Sequence, residues 1–404
     1  MKLPYLRLGR QLIGIAALSA LVLLSGCWDR VEVNDLALIT GAAVDKEDEH
    51  HLKLTVQLFL PKTAEGGQMD GVQAGGAGGA QSLVRSAIGS NIADATSKLQ
   101  ERLSRKLFWG HSEVFLISEQ MAKDGIQDDI DYLMRSSEPR ERAYLFVTKK
   151  DARDVLSYES SLERNTSEAL RELAKSQIEL QVTLKKLAEM LTSEAGAQVL
   201  PVVELLPPGP TSDSKRTIGF ISGSAVFKHG KLVGEVNDSV SRGILWLRNE
   251  IKKAIVTVEV EGYEGNISLT LLRSQTQLIP HYVQGKWTME VLIDTVDDVL
   301  QNTTTLNLAA DPKAIAMVEK KMNEAIKLRV QSALQNIQQK MKADVFDFAG
   351  TFHRSYPKPW KTAKSEWDEL YPSIPVTVKV NAIILRPGLT NMKPPEQSSQ
   401  ESPP

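Results

Sequence analysis

Residues 311–341 read DPKAIAMVEKKMNEAIKLRVQSALQNIQQKM. Asp311 is a good N-cap, and Pro312 suits the first turn, where its missing N–H costs nothing. Beyond them Ile315, Val318, Met322, Ile326, Val330, Leu334, Ile337 and Met341 recur at steps of three or four, the spacing of one helix face. The pattern predicts a helix of about 30 residues, roughly 45 Å long at 1.5 Å per residue. Such a stripe could form a coiled-coil seam or cover a sheet. Its neighbours favour the cover. Residues 254–260, 267–272 and 286–294 before it, and 375–385 after it, read as strands, and strands with an apolar face need an apolar partner layer.

Working outward, residues 251–388 form a C-terminal unit of sheet plus long amphipathic helix. Residues 151–250 form a middle unit. It holds a helical stretch over 162–191 closed by Gly196, a strand over 199–206, the turn 207–210 and a hairpin turned at His229-Gly230. Residues 27–150 form an N-terminal unit. Residues 36–44 are apolar and β-prone, and 51–60 alternate, with Leu52, Leu54, Val56, Leu58 and Leu60 on one face. The two make a hairpin around 45–49, and Pro61 stops the second strand. A helix over 82–106, a strand over 114–117, a helix over 122–134 and a strand over 143–148 follow. The fold class is α+β, with three mixed α/β-type domains whose mixed sheets are covered by helices. After Gly388 the Pro-, Ser- and Gln-rich stretch 389–404 reads as a disordered tail.

The chain has 404 residues, 42% of them hydrophobic, a net charge of −2 and one cysteine. Near-neutral charge gives no footprint for nucleic acid. A single cysteine excludes an intramolecular disulfide framework. That cysteine closes a leader-like stretch. Lys2, Arg7 and Arg10 precede an apolar run over 12–24, too short to span a bilayer but the length of a signal-peptide core. The run ends in Leu24-Ser25-Gly26-Cys27, which resembles the bacterial lipobox. In lipoproteins of that type the thiol takes a diacylglycerol, the fatty acids making it a palmitate-type anchor, and the chain is cut just before it. Residues 1–26 are then a lipoprotein signal peptide, Cys27 is the lipidation site and the membrane is reached through lipid on Cys27. Removing residues 1–26 takes away three basic side chains and no acidic one. The remaining 378 residues carry 45 basic and 50 acidic groups, a net charge of −5.

Catalytic and metal chemistry find little purchase. None of the six histidines (His50, His51, His111, His229, His281, His353) falls in an HExxH or HxH pattern. His111 and Glu113 would share a strand face without a third ligand, so His111 reads as structural. Asp128, Asp129 and Asp131 lack the glycine and terminal glutamate of a calcium loop and read as the solvated side of a short helix. Gly219–Gly223, GFISG, lacks the spacing of a nucleophile elbow. The glycines between 66 and 79 include a GxG but no phosphate-loop spacing, and that stretch reads as a flexible loop. Trp109, Trp246, Trp360 and Trp367 read as core anchors. No catalytic, cofactor-binding or metal-binding residue emerges.

The stretch Cys27-Trp28-Asp29-Arg30-Val31-Glu32-Val33-Asn34-Asp35-Leu36-Ala37, followed by Ile39–Asp45, resembles the mature N-terminus of the Ger(x)C family, the C-subunit lipoproteins of spore germinant receptors. Phe108-Trp109-Gly110-His111, Gly223–Phe227, Gly243–Leu247, Ala343–Phe346 and Tyr356–Trp360 with Trp367 resemble later parts of that family. The resemblance implies three α/β-type domains and no enzymatic activity. It implies a lipoprotein on the outer face of the spore inner (cytoplasmic) membrane, assembled with two polytopic membrane subunits of a nutrient germinant receptor. The alternative is a solute-binding lipoprotein of a transporter, which should show two similar lobes around a cleft. The three dissimilar units favour the receptor subunit.

Overall fold

The computed structural model describes residues 32–59, 82–160, 162–207 and 216–388. Cys27, the glycine-rich loop at 66–79, Pro61, most of the turn at 207–210 and the tail 389–404 lie outside them.

Strands β1 (Leu36–Lys46) and β2 (Leu52–Phe59) form the expected hairpin, antiparallel from Lys46 opposite Leu52. Leu52, Leu54, Val56 and Leu58 are all buried, as the alternation required. The other face of β2 is buried too. Thr55 and Gln57 are sealed off from solvent, and Gln57 is satisfied by helices lying over it. Its Oε1 accepts from the Ser167 amide (3.1 Å) and hydroxyl (2.6 Å), and its Nε2 donates to the Leu156 carbonyl. A buried amide left unpaired here would be costly, so this network fixes where those helices sit.

Residues 82–106 are not one helix. Ser82–Gly89 is strand β3, paired with β2; the helix α1 is confined to Ile92–Gln100, and β4 (Lys106–Phe108) follows. The spacing Leu83–Ala87 fits either structure. The separator is Gly89-Ser90-Asn91. A Cβ on Gly89 would stand 2.4 Å from the Ala95 amide nitrogen, and Asn91 caps α1 by accepting from the Asp94 N–H. β5 (Val114–Ser118) and β6 (Tyr144–Thr148) appear as expected. The helical stretch between them is two helices, α2 (Glu119–Asp124) and α3 (Gln127–Arg135), broken at Gly125 with φ +132°.

After α4 (Ala152–Ser157) and the short β7 (Glu159–Ser160), the expected helix over 162–191 is also divided, into α5 (Thr166–Lys175) and α6 (Leu184–Leu191). Gln177 takes a left-handed conformation, and Leu180 and Val182 are buried as an extended segment whose Val182 carbonyl accepts from Leu145 of β6. β8 (Ala197–Leu205), the short β9 (Arg216–Thr217), β10 (Gly219–Lys228) and β11 (Lys231–Asn237) complete the first half. His229 and Gly230 both have positive φ, the geometry of the expected tight hairpin. The resulting sheet runs β11-β10-β8-β6-β5-β1-β2-β3, with β4 beside β1. It therefore takes strands from both sides of residue 150. Its centre is parallel and its wings antiparallel. The central β5, covered on both faces, is buried throughout.

Helix α7 (Asp238–Leu247) leads to a second sheet, β12 (Ile255–Val258), β13 (Ile267–Val283), β14 (Lys286–Asn302) and β15 (Val376–Arg386), in that order. The β13–β14 hairpin is longer than its apolar runs suggested and turns at Gln284-Gly285. The long helix is present as α8 (Pro312–Ala333), with Asp311 accepting from the Lys313 N–H, and it continues as wider π-type turns over Leu334–Met341. It covers a sheet. Val318, Met322, Ile326, Val330 and Ile337 are fully buried. Its polar shoulder does a second job. Asn323 accepts from the Ala382 N–H (2.7 Å) and Glu319 from the Ile384 N–H (2.9 Å), so the helix occupies the free edge of β15.

Helices α9 (Phe348–Ser355), α10 (Pro357–Ala363) and α11 (Trp367–Leu370) pack an aromatic cluster that meets Tyr282 of β13 and Trp287 of β14, with Trp360 and Trp367 5.0 Å apart edge to face. All four tryptophans named above are buried. Asp344 lies at the start of this segment. Its carboxylate accepts from the Phe348 and Ala349 N–H groups, and burial nonetheless pushes it up to about 7.

The two sheets are joined through α7, most of whose residues are buried. Gly243 sets its contact with α8. A Cβ there would stand 2.4 Å from the Arg329 carbonyl oxygen and 2.7 Å from the Ala333 Cβ. In an isolated helix Gly→Ala gains about 1 kcal/mol. Here we expect Gly243→Ala to destabilise the fold by about 1–3 kcal/mol, the range for overpacking. Chemical denaturation measures this, and an unchanged or raised midpoint would show that the helices do not meet closely.

Candidate functional site

The candidate site is a cleft of about 610 Å³ where the broken helix, α7, α8 and the second sheet converge. Each wall has an identifiable origin. Ile178 belongs to the irregular segment between α5 and α6, so the break in that helix brings it here, and its neighbour Glu179 reaches Arg242 from behind the wall. Asp238 and Arg242 stand one turn apart on α7, whose N-cap Asn237 accepts from the Val240 N–H. Arg329 comes from α8 at the turn that touches Gly243. Lys253 and Ile255 come from the run into β12, and Leu271 from β13.

Arg242 organises the charges. Its Nη2 donates to Glu179 Oε1 at 2.9 Å and its Nε to Asp238 at 3.2 Å. Glu179 is 12% exposed and its Oε2 makes no hydrogen bond. Burial pushes its carboxyl up to about 8; Arg242 works against that rise, and the Asp238 carboxylate adds to it. Arg329 is half-buried. Burial and the Arg242 cation lower its pKa, and Asp238 offsets part of this. An arginine stays protonated in any case. Among the described residues neither Arg329 nor Lys253 forms a salt bridge. The arrangement can hold and orient an anionic group. It has no nucleophile–base pair, and among the described residues no three His, Cys, Asp or Glu side chains gather to hold a metal.

The residues singled out from sequence lie elsewhere. Cys27 is outside the described residues. His111 does not share a strand face with Glu113. Residues Trp109–His111 form a 3-10 turn, and the His111 ring lies beside Phe108 and 3.5 Å from Arg140. Glu113 is paired with Arg171. Asp128 and Asp131 are solvated as expected, but Asp129 is not. It is half-buried, and burial with the neighbouring Asp128 charge pushes it up to about 7. Arg242, Arg329 and Glu179 were not picked out from sequence. A signal was available in Gly243, a glycine inside an apolar helical run, which marks a close approach of something else.

The Glu179 carboxyl ordinarily titrates near 4.5 and does so here at about 8. Between those values the folded chain holds a proton that the unfolded chain has released. Stability therefore falls as pH rises through this window, by up to about 1.4 kcal/mol for each pH unit. Asp344 and Asp129, raised to about 7, and Asp297, raised to about 6, act in the same direction over narrower ranges. The urea midpoint should drop between pH 5 and pH 8.5, and Glu179→Gln should make that drop shallower. Superimposable pH profiles for the two proteins would show that Glu179 is ionised throughout.

Comparison with known proteins places this architecture. Residues 29–205 match the model "Spore germination protein N-terminal domain", and residues 222–388 match "Spore germination B3/ GerAC like, C-terminal". The chain is 30% identical to YfkR of Bacillus subtilis (strain 168) over 361 residues, covering 88% of this chain and 91% of that protein. It is 27% identical to spore germination protein KC of the same organism over 409 residues, covering 94% and 96%. The crystal structure of the GerBC protein superposes with a TM-score of 0.56 at 17% identity, over 85% of this chain and 97% of that one, which shows a shared fold. From its first strand to its last, the chain belongs to the GerC-type family of spore germination proteins.

Proposed function

We propose that this chain is a non-catalytic lipoprotein subunit of a spore nutrient germinant receptor. It is held on the outer face of the spore inner membrane by lipid on Cys27 and assembles with two polytopic membrane subunits. The observation that carries the reading is the span of the likeness: proteins named for spore germination align with this chain over nine-tenths of their length, at both ends and through the middle. Two further points support it. No helix among the described residues is long and apolar enough to cross a membrane, so attachment by a lipidated cysteine agrees with the chain's content. The two sheets differ in size and strand order, unlike the paired similar lobes of a solute binder.

Two acyl chains anchor stably where one is marginal, at about 0.8 kcal/mol per buried methylene. Cys27→Ala should therefore leave the chain unlipidated and shift it from the membrane fraction to the soluble fraction. Undiminished membrane retention would refute anchoring at Cys27. Purification from spore membranes should recover two polytopic proteins with the chain. Recovery with a transport ATPase instead would overturn the receptor assignment.

A further inference from the structure

The cleft between the two sheets has features that the role of a structural subunit does not require. Arg329 and Lys253 border it without a salt bridge among the described residues. The third cation, Arg242, is already engaged by Asp238 and Glu179. No protein acceptor is hydrogen-bonded to the Arg329 guanidinium among the described residues, and its planar fork suits an anion that offers two oxygens. The rest of the lining combines apolar side chains with the hydroxyl residues Ser239 and Thr270. Ile178 and Ile255 stand 45% and 54% exposed at the rim, while Leu271 lies buried behind them. The volume falls within the roughly 300–1,000 Å³ of small-molecule sites.

We propose that this cleft binds a small organic carboxylate, its charged end on Arg329 and Lys253 and its hydrocarbon body against Ile178, Ile255 and Leu271. Charge selects a carboxylate over a phosphate. Asp238 lies in the same wall, about half exposed, and repels a dianion more than a monoanion. Gly243 acts at one remove. By admitting the Arg329 turn of α8 against α7, it brings the Arg329 side chain beside Arg242 at the mouth of the cleft.

Hexanoate serves as the probe, with hexylamine and inorganic phosphate as comparisons, titrated calorimetrically into the full-length chain in a non-ionic detergent. Saturable one-to-one binding of hexanoate is expected, with neither hexylamine nor phosphate competing. Arg329→Gln should weaken it by about tenfold or more, the effect of one lost charge-assisted bond pair. Lys253→Gln, in an irregular segment outside the helices, should weaken it less and serves as the second variant if Arg329→Gln unfolds the chain. Failure of the unsubstituted chain to bind hexanoate, equal affinity in both variants, or stronger binding of phosphate would each overturn the proposal. None of these outcomes bears on Cys27 or on membrane recovery, so the receptor assignment stands or falls separately.

Discussion

A missing side chain lets the two halves of this molecule pack closely. At Gly243 the backbone of α7 meets the carbonyl of Arg329 in α8, closer than any Cβ would permit. The first helix grows out of the large sheet and the second lies on the small one, so this crossing relates the two layers, together with the Lys228–Asp368 and Glu194–Lys364 ion pairs. It also sets the charges. The residue before the glycine is Arg242, and the residue it meets is Arg329, so the crossing drives two guanidinium groups towards each other. Glu179 and Asp238 offset that repulsion through Arg242. The raised carboxyl at Glu179 follows from the scarcity of water around it, and the Arg242 cation only moderates the rise.

Much of the fold could be read from residue spacing because one physical rule governed it. The stripe from Val318 to Ile337 is a helix face wherever it packs, and the alternation from Leu52 to Leu58 is a strand face. Spacing misleads where a second influence overrides the period. Leu83 and Ala87 suit a helix, but pairing with β2 makes them a strand. Leu180 falls within the helical reading of 162–191, yet the stretch around it is drawn out and its Val182 carbonyl pairs with β6. In both cases the partner lies far along the chain, and local spacing carries no trace of it. The candidate site was invisible for the same reason. Glu179, Arg242 and Arg329 come from three elements, and their meeting is a property of packing rather than of any motif. Tryptophan burial, by contrast, was legible because ring size alone makes exposure costly.

The likeness to the GerBC protein illustrates how loosely such an architecture constrains its sequence. At 17% identity nearly the whole of that chain still superposes. Cores accept many apolar substitutions if volume and pattern are kept. Features that are not simply apolar tolerate less. Gln57 must reach Ser167 and Leu156 together, and the Asp344 carboxyl must meet two amides where water is absent. Such groups specify the placement of helices over sheets more tightly than surface contacts do.

The edge of β15 has a bearing on assembly. Two of its outward amides, those of Ala382 and Ile384, are already taken by Asn323 and Glu319 of the covering helix. A strand from another protein therefore finds those two donors occupied, which hinders lateral sheet extension at that stretch. A neighbour approaching Ala382 and Ile384 meets side chains there, and reads shape and charge rather than borrowing backbone. Recognition of that kind can discriminate between close relatives, because side chains differ among them whereas backbone edges do not.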